Sequence, residues 1–278
     1  MTSDSVEVGG RTRTFTVVGT PGEKTDLILV FHGSKQNGRK HRAFTGGMFD
    51  ALATAGTAAV VYLDGYRGNW NDARRQSAFP ARRDDIDDVG FVRAVIDRLG
   101  AARVFAVGYS NGGQMVMRLA HETPALIAGA TVLAATMPAP GNFLLAESGY
   151  APMPVLLIHG TRDPIVSYRG GEMSWWARAL FKVGGRTLSM PETAAYFAAR
   201  NGITAEPAGT RTGDTERTDY RQDGRPPVTL LTVHGGGHTI PGPHKAPAVL
   251  GRTSTKVNTA DLIGEFFGLA GHAADAHG

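Results

Sequence analysis

One short segment of the sequence has the composition expected around a nucleophile. Residues 108–112 read Gly-Tyr-Ser-Asn-Gly, which matches the pattern G-x-S-x-G with Ser110 at its centre. The apolar run Arg103–Val107 precedes this segment, and a helical pattern begins near Gly113. A tight turn between a strand and a helix lifts a serine hydroxyl clear of the backbone, and flanking glycines avoid clashes with the crossing chain. We therefore predict that Ser110 attacks carbonyl groups; the alternative is a glycine-rich turn that only ends a strand.

A carboxylate and an imidazole follow later in the chain, each after an apolar run. Asp163 lies five residues beyond the run 155–158, and His238 ends the segment 234–238, His-Gly-Gly-Gly-His. Histidine titrates near neutrality, and a carboxylate bonded to it fixes its tautomer and stabilises the imidazolium. We predict that His238 is the general base for Ser110 and that Asp163 orients it.

Two alternative interpretations stay open for these residues. Asp163 precedes Pro164, so it could simply start a turn. His234 and His238 could instead ligate zinc, although no helix aligns them and no third ligand has a matching spacing. Of the two histidines, His238 is the better base, because His234 still belongs to the end of an apolar run.

The loop after the first long apolar run predicts an oxyanion hole. That run ends in Phe31-His32-Gly33-Ser34. Acyl-transfer sites of this kind use two backbone N–H donors, one from such a loop and one from the residue after the nucleophile. We expect these donors to be Ser34 and Asn111. His32 is expected to bond to the loop backbone rather than to act in catalysis.

These residues need a sheet edge that brings distant segments together. Residues 6–22 predict an antiparallel hairpin, after which strand-like apolar runs alternate with helical patterns. The predicted strands are Asp26–Phe31, Ala58–Leu63, Arg103–Val107, Ala130–Ala134, Val155–Ile158 and Val228–Val233. The predicted helices are Asp88–Leu99, Gln114–His121, Pro191–Arg200 and Thr259–Leu269. This alternation predicts an α/β fold with a mostly parallel, doubly wound sheet opened by an antiparallel hairpin.

The chain offers no repeat or low-complexity linker, and we expect one domain over residues 1–278. The less regular regions 138–152 and 168–188 follow late strands, where loops overhang the sheet edge and can shape a pocket or a small cap. Asp214, Asp219 and Asp223 lie in a polar, turn-rich stretch that suits a surface hairpin better than a catalytic acid.

Composition excludes several classes of protein. Hydrophobic residues make up 42% of the 278 residues and charged residues 19%, and no apolar stretch is long enough to span a bilayer. The net charge of +4 is spread thinly, and Arg82-Arg83 is followed by acidic residues, so no nucleic-acid surface is expected. The chain has no cysteine, which excludes thiolate nucleophiles and disulfides. Without a signal-like N-terminus we expect a cytoplasmic protein, although a trimmed secreted chain would look the same.

Taken together, the motifs make the chain similar to the polyhydroxybutyrate depolymerase-like and LpqC-type esterases of the α/β-hydrolase superfamily, relatives of certain feruloyl and acetylxylan esterases. The matching segments span most of the chain: His32-Gly33 with Gln36, Asp64-Gly65 with Trp70-Asn71, Asp84-Asp85, Asp88–Val92, Gly108–Gly113, His159-Gly-Thr with Asp163, Glu192-Thr193, Ala198–Gly202, and Gly235–His238 with Pro241-Gly242. The order Ser, Asp, His along the chain agrees with this superfamily.

The resemblance implies an esterase with a Ser110, Asp163, His238 triad and no cofactor or metal, and it implies that Trp70 lines the acyl pocket. We also count Tyr109, beside the nucleophile, and Trp175-Trp176 among candidate substrate-binding residues, the tryptophans as a hydrophobic wall, a dimer contact or simple packing. Many relatives carry Cys after the His-Gly pair and are secreted, whereas this chain has Ser34 there.

We therefore expect a serine esterase acting on short-chain, hydroxyalkanoate-oligomer or aromatic (feruloyl-type) esters, with no nucleic-acid or membrane partner and with homo-oligomers left open. A peptidase or amidase of the same fold is one alternative. A non-catalytic binding protein that keeps the fold is the other, since a fold alone does not imply activity.

Overall fold

A computed structural model describes residues 1–53, 56–145, 149–173, 175–181 and 183–269. The strands are β1 Thr2–Val8, β2 Arg11–Val18, β3 Asp26–Phe31, β4 Ala58–Leu63, β5 Val104–Tyr109, β6 Gly129–Leu133, β7 Val155–Gly160, β8 Gly171–Glu172, β9 Arg186–Thr187, β10 Ala208–Thr212, β11 Thr215–Tyr220 and β12 Val228–Val233. The α-helices are α1 Gly38–Phe44, α2 Pro80–Arg83, α3 Asp88–Leu99, α4 Asn111–Glu122, α5 Trp175–Phe181, α6 Met190–Arg200 and α7 Thr259–Phe267. Short 3₁₀ helices cover Met48–Ala53, Tyr66–Gly68, Pro140–Asn142 and Ala248–Leu250.

Ten strands form one twisted sheet in the order β1-β2-β4-β3-β5-β6-β7-β12-β11-β10. The six central strands, from β4 to β12, pair in parallel. Antiparallel hairpins close both edges, β1-β2 on one side and β10-β11 on the other. The predicted fold class, an α/β-hydrolase fold opened by a hairpin, is confirmed.

Helices cover both faces of the sheet, because the central strands are apolar on both sides. One face packs against α3, α4 and α6 through residues such as Phe91, Met115 and Phe197. The other packs against the 3₁₀ helix at residues 48–53 and against α7, through Phe49 and Ile263. Burying each of these large side chains contributes about 1.5–3 kcal/mol to folding.

Local signals place the element ends. Helix α3 begins after Asp87, whose side chain accepts the Gly90 N–H, and α6 begins with a capping box between Ser189 and Glu192. Strands β3, β4 and β12 and helix α3 have the predicted bounds, whereas β5 continues to Tyr109 and α4 begins at Asn111. Ser110 therefore stands directly between a strand and a helix.

The two irregular regions pack against each other near the carboxyl ends of the strands. Region 138–152 contains the 3₁₀ helix at 140–142, and region 168–188 contains β8, α5 and β9. Backbone bridges join Pro138 to Thr187 and Ser77 to Val183. Residues 146–148, 174 and 182 of these predicted regions lie outside the described residues. In the described part of the chain, no helix has the length and apolar character needed to cross a membrane.

Candidate active site

Ser110 occupies a strained turn at the carboxyl end of the central strand β5. Its backbone has φ 53° and ψ −115°, a conformation that costs energy for any residue with a side chain. A Cβ on Gly108 would lie 2.3 Å from the Gly112 carbonyl oxygen, and a Cβ on Gly112 would lie 2.1 Å from the carbonyl oxygen of Phe31. Only glycine fits at these two crossings, which explains the G-x-S-x-G spacing physically.

Three side chains form a hydrogen-bonded row at this end of the sheet. His238 Nε2 lies 2.9 Å from Ser110 Oγ, and His238 Nδ1 lies 2.6 Å from Asp163 Oδ2. The side chain of Asp163 is fully buried. Its other oxygen, Oδ1, accepts the backbone N–H groups of Ile165 and Val166 at 2.7 and 2.8 Å. The structure thus brings together the three residues that the sequence selects as nucleophile, base and acid.

A second buried histidine contacts the same carboxylate. His159 Nε2 donates to the Val166 carbonyl at 2.9 Å and lies 3.2 Å from Asp163 Oδ2. Burial by itself would raise the pKa of Asp163, but the interactions with His238 and His159 outweigh it and hold that pKa well below its usual range. Asp163 therefore stays ionised throughout the neutral range. Its contact with His159 was missed from the sequence, although His159 stands four residues before Asp163 in the quoted motif.

The loop that carries His238 is tied to its surroundings by backbone bonds. The His238 N–H donates to the Leu250 carbonyl at 2.7 Å, and the Arg162 N–H donates to the Gly236 carbonyl at 2.8 Å. Tyr109 Oη donates to the His238 carbonyl at 2.7 Å, and the two rings lie 5.1 Å apart. Tyr109 is buried and does not line the cleft beside Ser110, so its contacts position His238 rather than bind substrate.

Ser34 and Asn111 both line the cleft that contains Ser110. Within the described ranges, neither of their backbone N–H groups donates to a protein acceptor. Two unused N–H donors beside a serine hydroxyl are the arrangement that an oxyanion hole requires. The side chain of Asn111 is held separately, because its Oδ1 accepts the Trp70 N–H at 2.9 Å and its Nδ2 donates to Asp72 Oδ2 at 2.6 Å.

His32 supports the loop behind this site. Its Nδ1 donates to the Gly33 carbonyl at 2.7 Å, and its Nε2 accepts the Gly65 N–H at 2.8 Å. Burial lowers the pKa of His32 to about 4, so the ring is neutral at pH 7. This position agrees with the expected bonding to loop backbone.

The cleft is small and has both polar and apolar lining residues. It is lined by Ser34, Arg74, Phe79, Ser110, Asn111, Gln114, Ala135, Ile165, Val166, Met173 and Val183. Its volume is about 350 Å³, at the lower end of the range for ligand pockets.

The predicted aromatic wall does not line this cleft. Trp70 is 0% exposed, with Nε1 donating to the His32 carbonyl at 2.9 Å, so it braces the oxyanion loop and offers no surface to a substrate. Trp175 and Trp176 lie on α5 and are 76% and 38% exposed. Their neighbours Met173 and Val183 line the cleft in their place. The prediction that Trp70 lines the acyl pocket is therefore wrong, because its ring is buried and packs inside the protein.

Arg74 was not predicted as a site residue. It lines the cleft, and its guanidinium is buried. Its partner, Asp72, is fully buried on the same short segment. Spacing alone cannot reveal this pair, because Arg74 reaches the cleft only when the segment folds over the end of α4.

Within the part of the chain that the structure describes, no group of three or more histidine, aspartate or glutamate side chains is arranged so that it could hold a metal ion. His234, which with His238 was the alternative zinc pair, bonds instead to Glu216, with Nε2 2.8 Å from Oε2.

Comparisons with known proteins relate the chain to esterases. A family model described as Phospholipase/Carboxylesterase matches residues 86–185. A protein of Nocardia uniformis subsp. tsuyamanensis named "Putative esterase NocK" is 34% identical over 293 aligned positions, which cover 95% of this chain and 82% of that protein. "Feruloyl esterase B" of Piromyces equi is 28% identical over 198 positions, which cover 65% of this chain and 34% of that protein.

A solved structure shares the architecture. The crystal structure of esterase PE8 superposes with a TM-score of 0.50 at 17% sequence identity, covering 81% of this chain and 90% of that chain. At this level of identity the likeness is one of fold.

Proposed function

Because this chain belongs to the α/β-hydrolase esterases, we propose that it hydrolyses carboxylic esters through a covalent acyl-enzyme on Ser110. The observation that carries the proposal is the row of hydrogen bonds from Ser110 Oγ through His238 to Asp163, at 2.9 and 2.6 Å. This row has the geometry that activates a serine hydroxyl, with the base within hydrogen-bond reach and the carboxylate fixing its tautomer.

The first half of the reaction forms the acyl-enzyme. Ser110 Oγ attacks the ester carbonyl carbon while its proton passes to His238 Nε2, and the carbonyl oxygen becomes an oxyanion. The N–H groups of Ser34 and Asn111 donate to that oxyanion. The bond to the alcohol oxygen then breaks, and the leaving alcohol takes the proton from His238.

The second half returns the enzyme to its starting state. Water attacks the acyl carbon and gives a proton to His238, the bond to Ser110 Oγ breaks, and Ser110 recovers its proton. Asp163 remains ionised and stabilises the imidazolium in both halves, which the lowered pKa of that carboxyl supports.

The cleft favours small substrates within the proposed class. Its apolar lining by Phe79, Ile165, Met173 and Val183 and its small volume support short-chain, hydroxyalkanoate or compact aromatic acyl groups. We place the chain beside the polyhydroxybutyrate depolymerase-like and LpqC-type esterases on the basis of the motifs quoted above. Its likeness to feruloyl esterase B, which it matches over about a third of that protein, supports testing feruloyl esters too.

The test compares wild type with Ser110→Ala on p-nitrophenyl esters from acetate to hexanoate and on methyl ferulate. We expect wild type to hydrolyse the short esters and the variant to lose kcat by a factor of about 10⁵–10⁶. The melting temperature should stay close to that of wild type, because Ala meets the same backbone strain as Ser at φ 53°.

A fluorophosphonate probe gives an independent readout, since it labels only an activated serine. We expect labelling of wild type and none of Ser110→Ala. Ester hydrolysis that persists in the variant, or labelling at another serine, would overturn the proposal.

A further inference from the structure

Arg74 gives the cleft a charged wall. Among the lining residues that the structure describes, it is the only charged side chain, and it is only 7% exposed. A guanidinium removed from water in this way loses hydration, so it needs acceptors within the protein or in a ligand.

Part of that requirement is met by Asp72, which is fully buried. Arg74 Nε donates to Asp72 Oδ1 at 3.2 Å, and Nη2 donates to Asp72 Oδ2. Nη1 makes no hydrogen bond to any residue of the described ranges. One edge of the guanidinium is therefore held in place by Asp72, and Nη1 has no protein acceptor among the described residues.

A second guanidinium lies behind the pair. Arg82 Nη2 donates to the backbone carbonyls of both Asp72 and Arg74. Burial lowers the pKa of Arg82, the carboxylate of Asp72 raises it, the guanidinium groups of Arg118 and Arg74 lower it, and Asp85 raises it. Arg74 and Arg82 thus share the Asp72 carboxylate, and of these three groups only Arg74 lines the cleft.

We propose that Arg74 determines substrate specificity and selects esters whose acyl part carries an ionised carboxylate, such as half-esters of short dicarboxylic acids. Arginine binds carboxylates strongly through charge-assisted hydrogen bonds, and here its orientation is fixed in advance by Asp72. Arg74 lines the same cleft as Ser34, Ser110 and Asn111, and the esters compared below differ in the acyl part alone. This inference rests on the proposed esterase function and narrows its substrate class.

The experiment measures methanol release from three methyl esters of similar size: monomethyl succinate, dimethyl succinate and methyl butanoate. At pH 7.5 only the first carries a charge. We expect wild type to have a kcat/KM for monomethyl succinate at least tenfold above the values for the two neutral esters. Arg74→Gln should remove that preference while it still hydrolyses the neutral esters.

Two further variants separate specificity from folding. Arg74→Gln leaves the buried carboxylate of Asp72 without its cation, which can destabilise the protein, so the double variant Asp72→Asn/Arg74→Gln keeps polar groups at both sites without either charge. Arg211→Gln, an exposed change on the edge strand β10, removes one positive charge elsewhere. We expect the double variant to lose the preference for the anionic ester and Arg211→Gln to retain it.

The preference is the ratio of kcat/KM for the anionic ester to kcat/KM for a neutral ester, measured on the same variant. A general loss of activity lowers both values and leaves this ratio unchanged. A wild-type ratio near one, or a ratio that Arg74→Gln and the double variant leave unchanged, would overturn the inference while the esterase function stands. If no ester is hydrolysed, the proposed function fails, and the anion site is then judged by calorimetric titration with succinate. Binding by wild type that is at least tenfold weaker in the double variant supports the site, and equal or absent binding contradicts it.

Discussion

At the scale of single residues, the site depends on backbone groups as much as on side chains. The two predicted oxyanion donors are the N–H groups of Ser34 and Asn111, and both line the cleft. The hydroxyl of Ser34 makes no hydrogen bond to a residue of the described segments. The identity of side chain 34 should therefore matter much less than the presence of its N–H.

This difference gives a paired prediction. Ser34→Ala keeps the N–H donor, and we expect kcat on p-nitrophenyl acetate within about threefold of wild type. Ser34→Pro removes the donor, and we expect kcat to fall by a factor of about 10²–10³ with a smaller change in KM. Steady-state kinetics of both variants, with melting temperatures to verify folding, make the comparison. Equal losses in the two variants would exclude Ser34 N–H as an oxyanion donor.

The residues of the row were accessible to sequence reasoning because each follows an apolar run and has a distinctive chemistry. The aromatic neighbours were not, because a Trp or Tyr beside a nucleophile looks the same in sequence whether it faces substrate or backbone. The indole N–H of Trp70 donates to the carbonyl of His32, and the hydroxyl of Tyr109 donates to the carbonyl of His238. Arg74 was missed because its place in the cleft depends on contacts with residues distant in the chain.

At the scale of elements, the end of β7 positions both the acid and the base. The loop 234–238 leaves β12 and crosses directly over Gly160, the last residue of β7. A Cβ on Gly160 would lie 2.3 Å from the Gly236 carbonyl oxygen, which is closer than any packed Cβ. The position of His238 thus depends on a glycine three residues before Asp163.

We therefore predict that Gly160→Ala displaces the 234–238 loop and lowers kcat/KM by at least a hundredfold, since an error of about 1 Å in a catalytic group has an effect of this size. The matched control is Gly209→Ala on the edge strand β10, where an added Cβ meets no atom within 4 Å. Esterase kinetics and thermal melts of the two variants decide the matter. Activity of Gly160→Ala within a few fold of the control would mean that the loop tolerates the shift.

The central elements were predicted well because burial on both faces leaves a continuous apolar run in the sequence. Strands β3, β4 and β12 are fully buried along their length and have the predicted bounds. Helix α5 and strands β8 and β9 were not predicted as elements, since α5 is seven residues long and carries exposed tryptophans, and each strand has two residues. Strand β11, which pairs with β12 and extends the sheet, was not predicted as a strand because most of its residues are polar.

At the scale of the whole molecule, burial keeps three histidines uncharged. It lowers the pKa of His32 to about 4, of His41 to about 3 and of His121 to about 4. Both ring nitrogens of His32 and of His121 form hydrogen bonds. In His121, Nδ1 donates to the Met117 carbonyl at 2.7 Å and Nε2 lies 2.7 Å from the Tyr196 hydroxyl. A proton added to any of these rings would place a charge in the interior.

The consequence is a fold that loses stability in mild acid. In the unfolded chain these histidines take up protons below about pH 6.5, whereas the folded protein resists protonation until about pH 4, so the unfolded state binds more protons between these values. The free energy of unfolding should therefore fall as pH decreases from 6.5 towards 4, by about 2 kcal/mol for each histidine at pH 5. Urea unfolding at a series of pH values from 7.5 to 5 measures this slope.

A single substitution tests whether buried histidines cause that slope. His121→Gln should lower stability at pH 7.5, because it disturbs a buried hydrogen-bonded pair, yet flatten the dependence near pH 5 by about 1.4 kcal/mol per pH unit, which corresponds to one proton. The control His244→Gln, at an exposed position, should leave the slope as in wild type. A loss of stability at neutral pH would follow both from removing a titrating group and from a packing defect. Only the removal of a titrating group also changes the slope of the unfolding free energy against pH. An unchanged slope in His121→Gln would show that other groups, such as the ion-paired carboxylates of Asp214 and Asp219, whose pKa values are lowered in the fold, govern unfolding in acid rather than His121.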